Sequence, residues 1–473
     1  MKKFLVVLLS LGLIAGISAT ASALDVQFSG KYEVEGAFES NVYQSGSDHK
    51  GFFGGDTSRA AVWQRFRLQP VFKVAEGLSM TIRIDALEKQ WGNTMWRGNS
   101  ADDFSNSRRE SQAIPTFGSS SGQKTQENIE FERSYVTFDT QIGQFQVGYQ
   151  RQKTWGTGWA DWEQTGPRAM FTTKLGPMTL LAIWDKSYES DALVQGSNST
   201  SAWNKVDGDT DQYALAGIYN GKGWEAGLLY QYVHSAYPKA NGAGYKVKQH
   251  NLLPYMKATF GPVYLESEFG YAFGKAVEYE NESATLKSKD AQAWGGYIKA
   301  KTTFGPAYFG AAAGYSSGDD LQDDSKSKNV FNAKNWNPAL ILLGDDYLTD
   351  IFPGGNAYDV GNFSSYKNAK AGFMIYNVFG GYNPTAKLNL EANFTSASFD
   401  VKPRAGNVKT GAEYVSKNMG MELDVTATYK LYDNLSYMVG AGYLFTGDAF
   451  KGTNSNASIG NDYMVMNRLV LNF

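Results

Sequence analysis

Short, turn-forming connections alternate with much longer polar ones along the whole of this chain. The short connections contain strong turn formers and lie near residues 75–77, 141–144, 176–177, 220–223, 261–262, 305–306, 383–385 and 432–434. Gly and Asn accept a positive φ, and Pro fixes its own φ, so each connection can reverse the chain within a few residues. The pattern predicts eight β-hairpins.

The longer connections lie at about 41–58, 90–128, 153–166, 189–209, 237–246, 277–287, 318–366, 401–415 and 447–460. Together with the eight tight turns they predict about eighteen strands, and sixteen remains open because predicted boundaries shift by a few residues. Sorting connections by length is typical of transmembrane β-barrels, whose periplasmic turns are short and whose extracellular loops are long. A soluble sandwich or propeller has no reason to sort its loops this way. The fold class is therefore all-β, a transmembrane antiparallel β-barrel of about eighteen strands.

The predicted strands have one apolar and one polar face. Between residues 388 and 395, for example, apolar Leu390, Ala392 and Phe394 alternate with polar Glu391 and Asn393. Unpaired charges on so many strands are too costly to bury in a dry core. Water inside a closed sheet and lipid outside it satisfy both faces, and closure removes the sheet edges.

The first residues predict a secretory signal peptide. Lys2 and Lys3 precede an apolar run from Phe4 to Ile17, and Ala21-Ser22-Ala23 is a small-residue cleavage pattern. The run is short for a membrane span, and an uncleaved anchor is the alternative. We expect a signal peptide at 1–23 and a transmembrane β-barrel at 24–473.

Composition agrees with a large all-β protein. Glycine occurs 51 times and aromatic residues make up 14% of the chain, while cysteine is absent, which excludes disulfides, thiol chemistry and lipid attachment through cysteine. The mean hydropathy of −0.38 does not argue against a membrane barrel, because lipid-facing residues alternate with polar ones and an average over the chain hides them. The formal net charge of −3 argues against a nucleic-acid partner.

The last segment, 461–473, carries the clearest resemblance to a known family. Phe473, Leu471 and Leu469 alternate with other residues back from the end, and only Asn467 interrupts the apolar face. This ending resembles the C-terminal assembly signal of bacterial outer-membrane barrels; an edge strand of a soluble β-protein is the alternative. The resemblance implies location in the cell outer membrane, with lipid, lipopolysaccharide and the barrel assembly machinery as partners.

The alternation also assigns charged residues to the lumen. Predicted pore-lining cations lie mainly on early strands: Arg65, Arg67, Arg83, Arg133 and Arg168, with Arg468 on the last strand. Predicted pore-lining anions lie later: Glu266, Glu268, Glu391, Glu422 and Asp424. In a ring of eighteen strands the two groups would face each other and create a transverse field that favours polar solutes. Solvated wall residues without a selective role are the alternative.

Two of the long connections are candidates for folding inward. Residues 147–163 resemble the alginate-export type of barrel, in which a Gly-Arg-Gln strand end leads into a Gly-rich loop, although Tyr149 and Gln150 here separate Gly148 from Arg151. Trp155, Trp159 and Trp162 can either stack on sugar rings or fix the loop to the barrel wall. The connection at 318–366 is rich in Asp, which suits either divalent cations shared with lipopolysaccharide or simple solvation.

Nothing in the sequence indicates catalysis. His49, His234 and His250 do not form a metal-spaced pair, and neither a phosphate-binding loop nor a Gly-x-Ser-x-Gly elbow occurs. We therefore expect no enzyme activity, no metal and no cofactor.

The expected function is that of an outer-membrane porin, which lets small hydrophilic solutes and ions diffuse through a water-filled channel. A homotrimer is a further expectation from the resemblance to general porins. One alternative is a substrate-specific channel for sugars or acidic polysaccharide. Another is a barrel that sheaths a periplasmic redox partner, whose haem would come from another chain because Cys-x-x-Cys-His is absent here.

Overall fold

The chain was analysed as a computed structural model that describes residues 25–40, 58–91, 129–159, 161, 164–189, 208–240, 244–283, 286–322, 325–328, 336, 338–342, 371–405 and 409–473. The predicted signal peptide lies outside the described residues, as do most of the long connections. None of the helices in the described part of the chain is long and apolar enough to cross a membrane.

Eighteen long strands form one closed antiparallel sheet. Their bounds are β1 Asp25–Glu39, β2 Arg59–Ala75, β3 Leu78–Gln90, β4 Ile129–Thr140, β5 Gly143–Gln152, β6 Gln164–Leu175, β7 Met178–Tyr188, β8 Thr210–Gly221, β9 Trp224–Ser235, β10 Tyr245–Phe260, β11 Val263–Tyr279, β13 Ala293–Phe304, β14 Ala307–Ser316, β16 Phe373–Thr385, β17 Leu388–Phe399, β18 Asn418–Tyr432, β19 Leu435–Thr446 and β20 Asp462–Asn472. Each pairs with its neighbours in the chain, and β20 pairs back with β1. The closed antiparallel barrel predicted from the connection lengths and the alternating strands is confirmed, with eighteen strands rather than sixteen.

Three kinds of short element accompany the eighteen long strands. Two short strands, β12 (Lys289–Ala291) and β15 (Lys326–Ser327), belong to the same sheet: β12 pairs with β11, and β15 pairs in parallel with β12. One helical turn, α1, spans Tyr237–Ala240, and a 3₁₀ turn spans Asp448–Lys451.

The eight predicted hairpins are present, and each has a two-residue connection between its strands. Gly77, Gly176, Gly223, Gly261 and Gly305 occupy these connections with φ between 56° and 81°. Two-residue hairpin loops need such positive φ values to match the twist of the flanking strands. Consecutive strands run antiparallel, and tight turns alternate with longer connections along the chain. All tight turns therefore lie at one end of the barrel, and the longer connections lie at the other end.

The two faces of the wall differ as the alternation predicts. On β18, for instance, Leu423 and Val425 point outward and are exposed, whereas Glu422 and Asp424 point inward and are buried. Lipid is the environment that suits an outward face of this kind, so we treat the chain as membrane-spanning.

The interior differs from the expectation that the whole inner face meets water. A buried apolar cluster lies inside the part of the barrel formed by β11 to β20 with β1 and β2, and includes Trp63, Ile341, Leu342, Met464 and Met466. Part of this cluster comes from segments outside the strands that fold into the lumen. Alternation along strands cannot reveal such segments, because they belong to the connections.

The closing contact of the barrel involves Phe473. Its backbone exchanges hydrogen bonds with Gly30 on β1, with N···O distances of 2.7 and 3.1 Å. Its ring stacks on Phe66 of β2 at 6.4 Å between centroids, and a Cβ on residue 30 would lie 2.3 Å from the ring. Phe473 therefore ties the last strand to the first two.

We predict that Phe473→Ala lowers the yield of assembled barrel, because the ring that packs over Gly30 and Phe66 is lost while the backbone pairing remains. The measurement is the fraction of heat-modifiable, protease-resistant protein in the membrane. Phe473→Tyr, which keeps a ring of the same size, serves as the control and should assemble as the native chain does. Equal assembly of the Ala and Tyr variants would contradict this role.

Candidate functional site: a lumen narrowed by two inward segments

The first inward segment, here called the Trp155 segment, comprises residues 153–159 between β5 and β6. Thr157 donates its backbone N–H and its hydroxyl to Oε2 of Glu268 on β11, at 2.7 and 2.6 Å. The indole N–H of Trp155 donates to the carbonyl of Leu253 on β10 at 2.8 Å. The segment therefore leaves β5 and crosses the lumen to reach a distant part of the wall.

Small residues on that wall make room for the tryptophans. Trp159 is fully buried, and a Cβ at Gly295 on β13 would lie 2.6 Å from its ring. Gly156 within the segment has φ 62°, which favours glycine, and a Cβ there would lie 2.8 Å from the Tyr255 ring. Trp155 meets the same Tyr255 ring edge-on, with centroids 5.2 Å apart.

The second inward segment, here called the Leu340 segment, comprises residues 338–342. The consecutive backbone N–H groups of Leu340, Ile341 and Leu342 donate to the carboxylate of Glu422 at 3.0, 2.7 and 2.7 Å. The carbonyl of Pro338 accepts hydrogen bonds from Asn377 and Thr395 on the adjacent strands, both at 3.2 Å. One buried carboxylate thus holds three N–H groups that would otherwise lack partners.

Trp159 of the Trp155 segment and Trp336, which precedes the Leu340 segment, both lie over Gly314 on β14. A Cβ at Gly314 would lie 2.3 Å from the ring of Trp336 and 3.3 Å from Nε1 of Trp159. Trp336 also packs edge-on against Tyr297 of β13 at 4.8 Å between centroids. Among the described residues, these segments therefore fill the side of the lumen near β13 to β18, and open space remains beside β4 to β10.

That open space is a cavity of about 530 Å³ beside β4 to β10 and the Trp155 segment. Its lining has four cationic side chains, Arg133, Arg151, Lys153 and Arg168, and one carboxylate, Asp185. Burial lowers the pKa of the Lys153 ammonium, which lies beyond the end of β5, while the nearby Asp185 carboxylate acts in the opposite direction. The cavity therefore carries a positive excess and suits polar solutes with anionic groups.

A chain of hydrogen-bonded amides runs across the strands on this wall. Gln212 donates to Ser187, Gln231 to Gln212, Asn251 to Gln231 and Gln249 to Asn251, at 2.8 to 2.9 Å. Gln212, Gln231 and Asn251 each donate one and accept one hydrogen bond in this series, Gln249 donates one, and all four amides keep further hydrogen-bonding capacity. The cavity wall therefore combines hydrogen-bonded amides with apolar side chains such as Leu181, Ile183 and Leu229.

The predicted pore-lining arginines mostly lie beside carboxylates of the same or neighbouring strands. Their shortest N···O contacts are Arg65–Glu88 at 3.2 Å, Arg67–Asp85 at 2.6 Å, Arg83–Asp85 at 3.0 Å, Arg168–Asp185 at 2.7 Å and Arg468–Glu35 at 2.8 Å. Arg133 lies opposite Arg83 in the strand register. The expected separation into a cationic and an anionic wall is therefore wrong for the early strands, because their own carboxylates offset much of the positive charge.

The predicted anions fall into two groups. Glu266 and Glu391 lie on the inner wall and accept hydrogen bonds from tyrosines, Glu266 from Tyr297 at 2.6 Å and Glu391 from Tyr308 at 2.5 Å. Glu268, Glu422 and Asp424 differ from the expectation that they line open water, because all three are buried beneath the inward segments. Glu268 anchors the Trp155 segment, and Glu422 anchors the Leu340 segment.

The predicted solute-stacking tryptophans have different positions. Trp159 is enclosed by the wall and so has no free face for a sugar ring, which favours the wall-fixing alternative. Trp155 lines the cavity as well as contacting the wall. Trp162 lies outside the described residues.

Sequence reasoning missed the carboxylates of the first strands. Glu33 and Glu35 on β1 are buried and contact Arg468, and Asp85 on β3 binds two arginines. A signal was present, since Lys31, Glu33 and Glu35 alternate with apolar residues on β1. The amide chain had no comparable signal, because strand register alone brings its members together.

Comparison with known proteins shows similarity of fold only. No protein-family model matches the sequence, and no curated protein matches it. Pseudomonas aeruginosa OccK8 (OprE) is 13% identical over 94% of this chain and 98% of that chain, with a TM-score of 0.49. A BenF-like porin from Pseudomonas fluorescens Pf-5 is 13% identical over 95% and 99%, with a TM-score of 0.48. OmpT, an outer membrane protein of Vibrio cholerae, is 13% identical over 96% and 99%, with a TM-score of 0.37. The barrel itself is established by the strand pairing of this chain.

We predict that Glu268→Ala releases the Trp155 segment and raises single-channel conductance, with added current fluctuation. The variant leaves a buried backbone N–H and a hydroxyl of Thr157 without their acceptor, a loss of about 1–3 kcal/mol for the held conformation. Glu391→Ala, which removes a carboxylate whose hydrogen bonds in the described part of the chain come from the wall residues Tyr308 and Asn393, is the matched control and should keep the quiet native trace. A Glu268→Ala channel with unchanged conductance and noise would contradict the anchoring role.

Proposed function

We propose that this chain forms a channel in the outer membrane through which small hydrophilic solutes and ions diffuse passively. The observation that carries the proposal is a closed ring of eighteen strands with a polar, partly open lumen. Barrels of 16 to 18 strands are wide enough to leave an aqueous channel. The tight turns would face the periplasm and the long connections the exterior.

The inward segments support a restricted passage rather than a wide pore. They fill the lumen beside β13 to β18, so solutes would pass along the wall of β4 to β10. A cavity of about 530 Å³ on that wall is the size of sites that hold small molecules. We therefore propose an upper size limit near that of a small metabolite.

A second candidate is a substrate-specific channel for sugars or acidic polysaccharide. Two observations favour it over an unselective pore: the cavity lining carries four cations and one carboxylate, and hydrogen-bonding amides cross its wall. Charged sugars present both the carboxylate and the hydroxyls that such a lining can bind. Arg151 and Lys153 lie where the Trp155 segment begins and would contact the solute first.

We predict stepwise conductance when the purified protein is added to a planar lipid bilayer. Under a salt gradient the reversal potential should show a modest preference for anions, because of the positive excess in the cavity. Glucuronate and glucose at equal concentration then separate the two candidates. Saturable block by glucuronate alone would support the substrate-specific channel, and block by neither would support the general porin.

Failure of detergent-purified, heat-modifiable protein to conduct would contradict both candidates. Heat modifiability serves as the control here, because it shows independently that the barrel has folded. A clear preference for cations would contradict the role assigned to the cavity lining while leaving the channel itself intact.

A further inference from the structure

The side-chain amide of Asn467 points outward from the middle of β20. Val465, two residues away on the same face, is exposed, and Leu469 continues the apolar row on the other side. Within the described residues no hydrogen bond joins the Asn467 amide to another group. This is the one residue that interrupts the apolar face predicted for the closing strand.

The neighbouring strand makes room for this amide. Gly36 of β1 lies directly opposite Asn467, and a Cβ at Gly36 would be 3.0 Å from Nδ2 of the amide. Val439 of β19 lies opposite on the other side and offers no polar group. In hydrocarbon an amide without a hydrogen-bond partner costs about 2–7 kcal/mol. Polar groups at such depth are usually retained for a function.

A hollow in the outer wall adjoins Asn467. It extends over β16 to β20, where small outward residues lie between larger apolar ones. Its outward lining comprises Gly380, Ala392, Ala427 and Ala441 together with Tyr382, Leu390, Val425, Val439 and Val465. A smooth lipid-facing wall does not require such a hollow, whereas a packed protein interface does benefit from one.

We propose that the outward face of β1 and β16–β20, centred on Asn467, is a contact surface between two copies of this chain, which replaces the homotrimer expected from the resemblance to general porins by a two-fold pair. An amide both donates and accepts, so Asn467 of one copy is a complete partner for Asn467 of another. Two copies inserted in the same direction are related by an axis along the membrane normal, and an isologous contact then brings each Asn467 to its symmetry mate.

The same symmetry also determines which surface of the second copy faces the hollow. It lies on the β19 side of Asn467, so the two-fold operation sets it against the outward side chains of β1 and β2 in the second copy. Those strands carry exposed or half-buried rings, among them Phe28, Phe38 and Phe66. Rings of one copy thus face the hollow of the other, twice in each pair. The inference takes the membrane-spanning barrel as given and is independent of which solute passes through it.

Cross-linking in intact membranes tests the contact directly. The native chain has no cysteine, so Asn467→Cys supplies a single thiol at the proposed centre. Mild oxidation should convert most of this variant to a linked pair on a non-reducing gel. Leu215→Cys, on the opposite side of the barrel and 63% exposed, is the matched control and should stay a single chain. Equal linking of the two variants would overturn the proposal.

Two further variants separate the amide from the hollow. Asn467→Leu removes the amide pair, and Ala441→Phe fills the hollow from outside the wall. Each should reduce the mass of the gently solubilised protein from that of two copies to that of one, while heat modifiability shows that the barrel still folds. A native chain of single-copy mass that also fails to cross-link would contradict the proposal. Conductance of single barrels should persist in both variants, so loss of pairing is distinguishable from loss of the channel.

Discussion

Every backbone amide of a strand embedded in lipid needs a hydrogen-bond partner, because hydrocarbon offers none. This constraint makes the pairing of β1 with β20 the contact on which the rest of the structure depends. Without it both strands would expose a row of unpaired N–H and C=O groups to the membrane. Phe473 reinforces the same junction, since its backbone bonds to Gly30 and its ring packs on Phe66. Closure in turn fixes which residues face inward, and so it defines the lumen.

Within the lumen, carboxylates organise the parts of the chain that are not strands. Glu268 holds the Trp155 segment through Thr157, and Glu422 holds the Leu340 segment through three consecutive N–H groups. In both cases the wall supplies the acceptor and the loop supplies the donors. The filled side of the lumen and the open cavity beside β4 to β10 both follow from these two attachments. The lumen is therefore narrowed by hydrogen bonds between wall carboxylates and the backbone of the inward segments more than by opposed charges.

Local patterns were sufficient to predict the barrel. Turn chemistry and period-two alternation act over a few residues, so the hairpins and the inward direction of residues such as Arg67 and Glu391 could be derived one strand at a time. The inward segments could not, because nothing near Thr157 in the sequence indicates an acceptor on β11. Charge pairing was missed for a related reason: Arg468 meets Glu35 only through closure of the ring. Contacts that depend on strand register across the sheet, or on where a long connection folds, can be identified only from the structure.

Thiol labelling along β17 tests most directly the claim that this wall separates water inside from lipid outside. Single-cysteine variants at Leu390, Glu391, Ala392, Asn393 and Phe394 would be treated in intact membranes with a small, water-soluble maleimide. The structure predicts labelling that alternates along the strand, rapid at Glu391 and Asn393, which face the lumen, and slow at the three residues that face outward. Uniform labelling, or rapid labelling at Leu390, Ala392 and Phe394, would contradict the account.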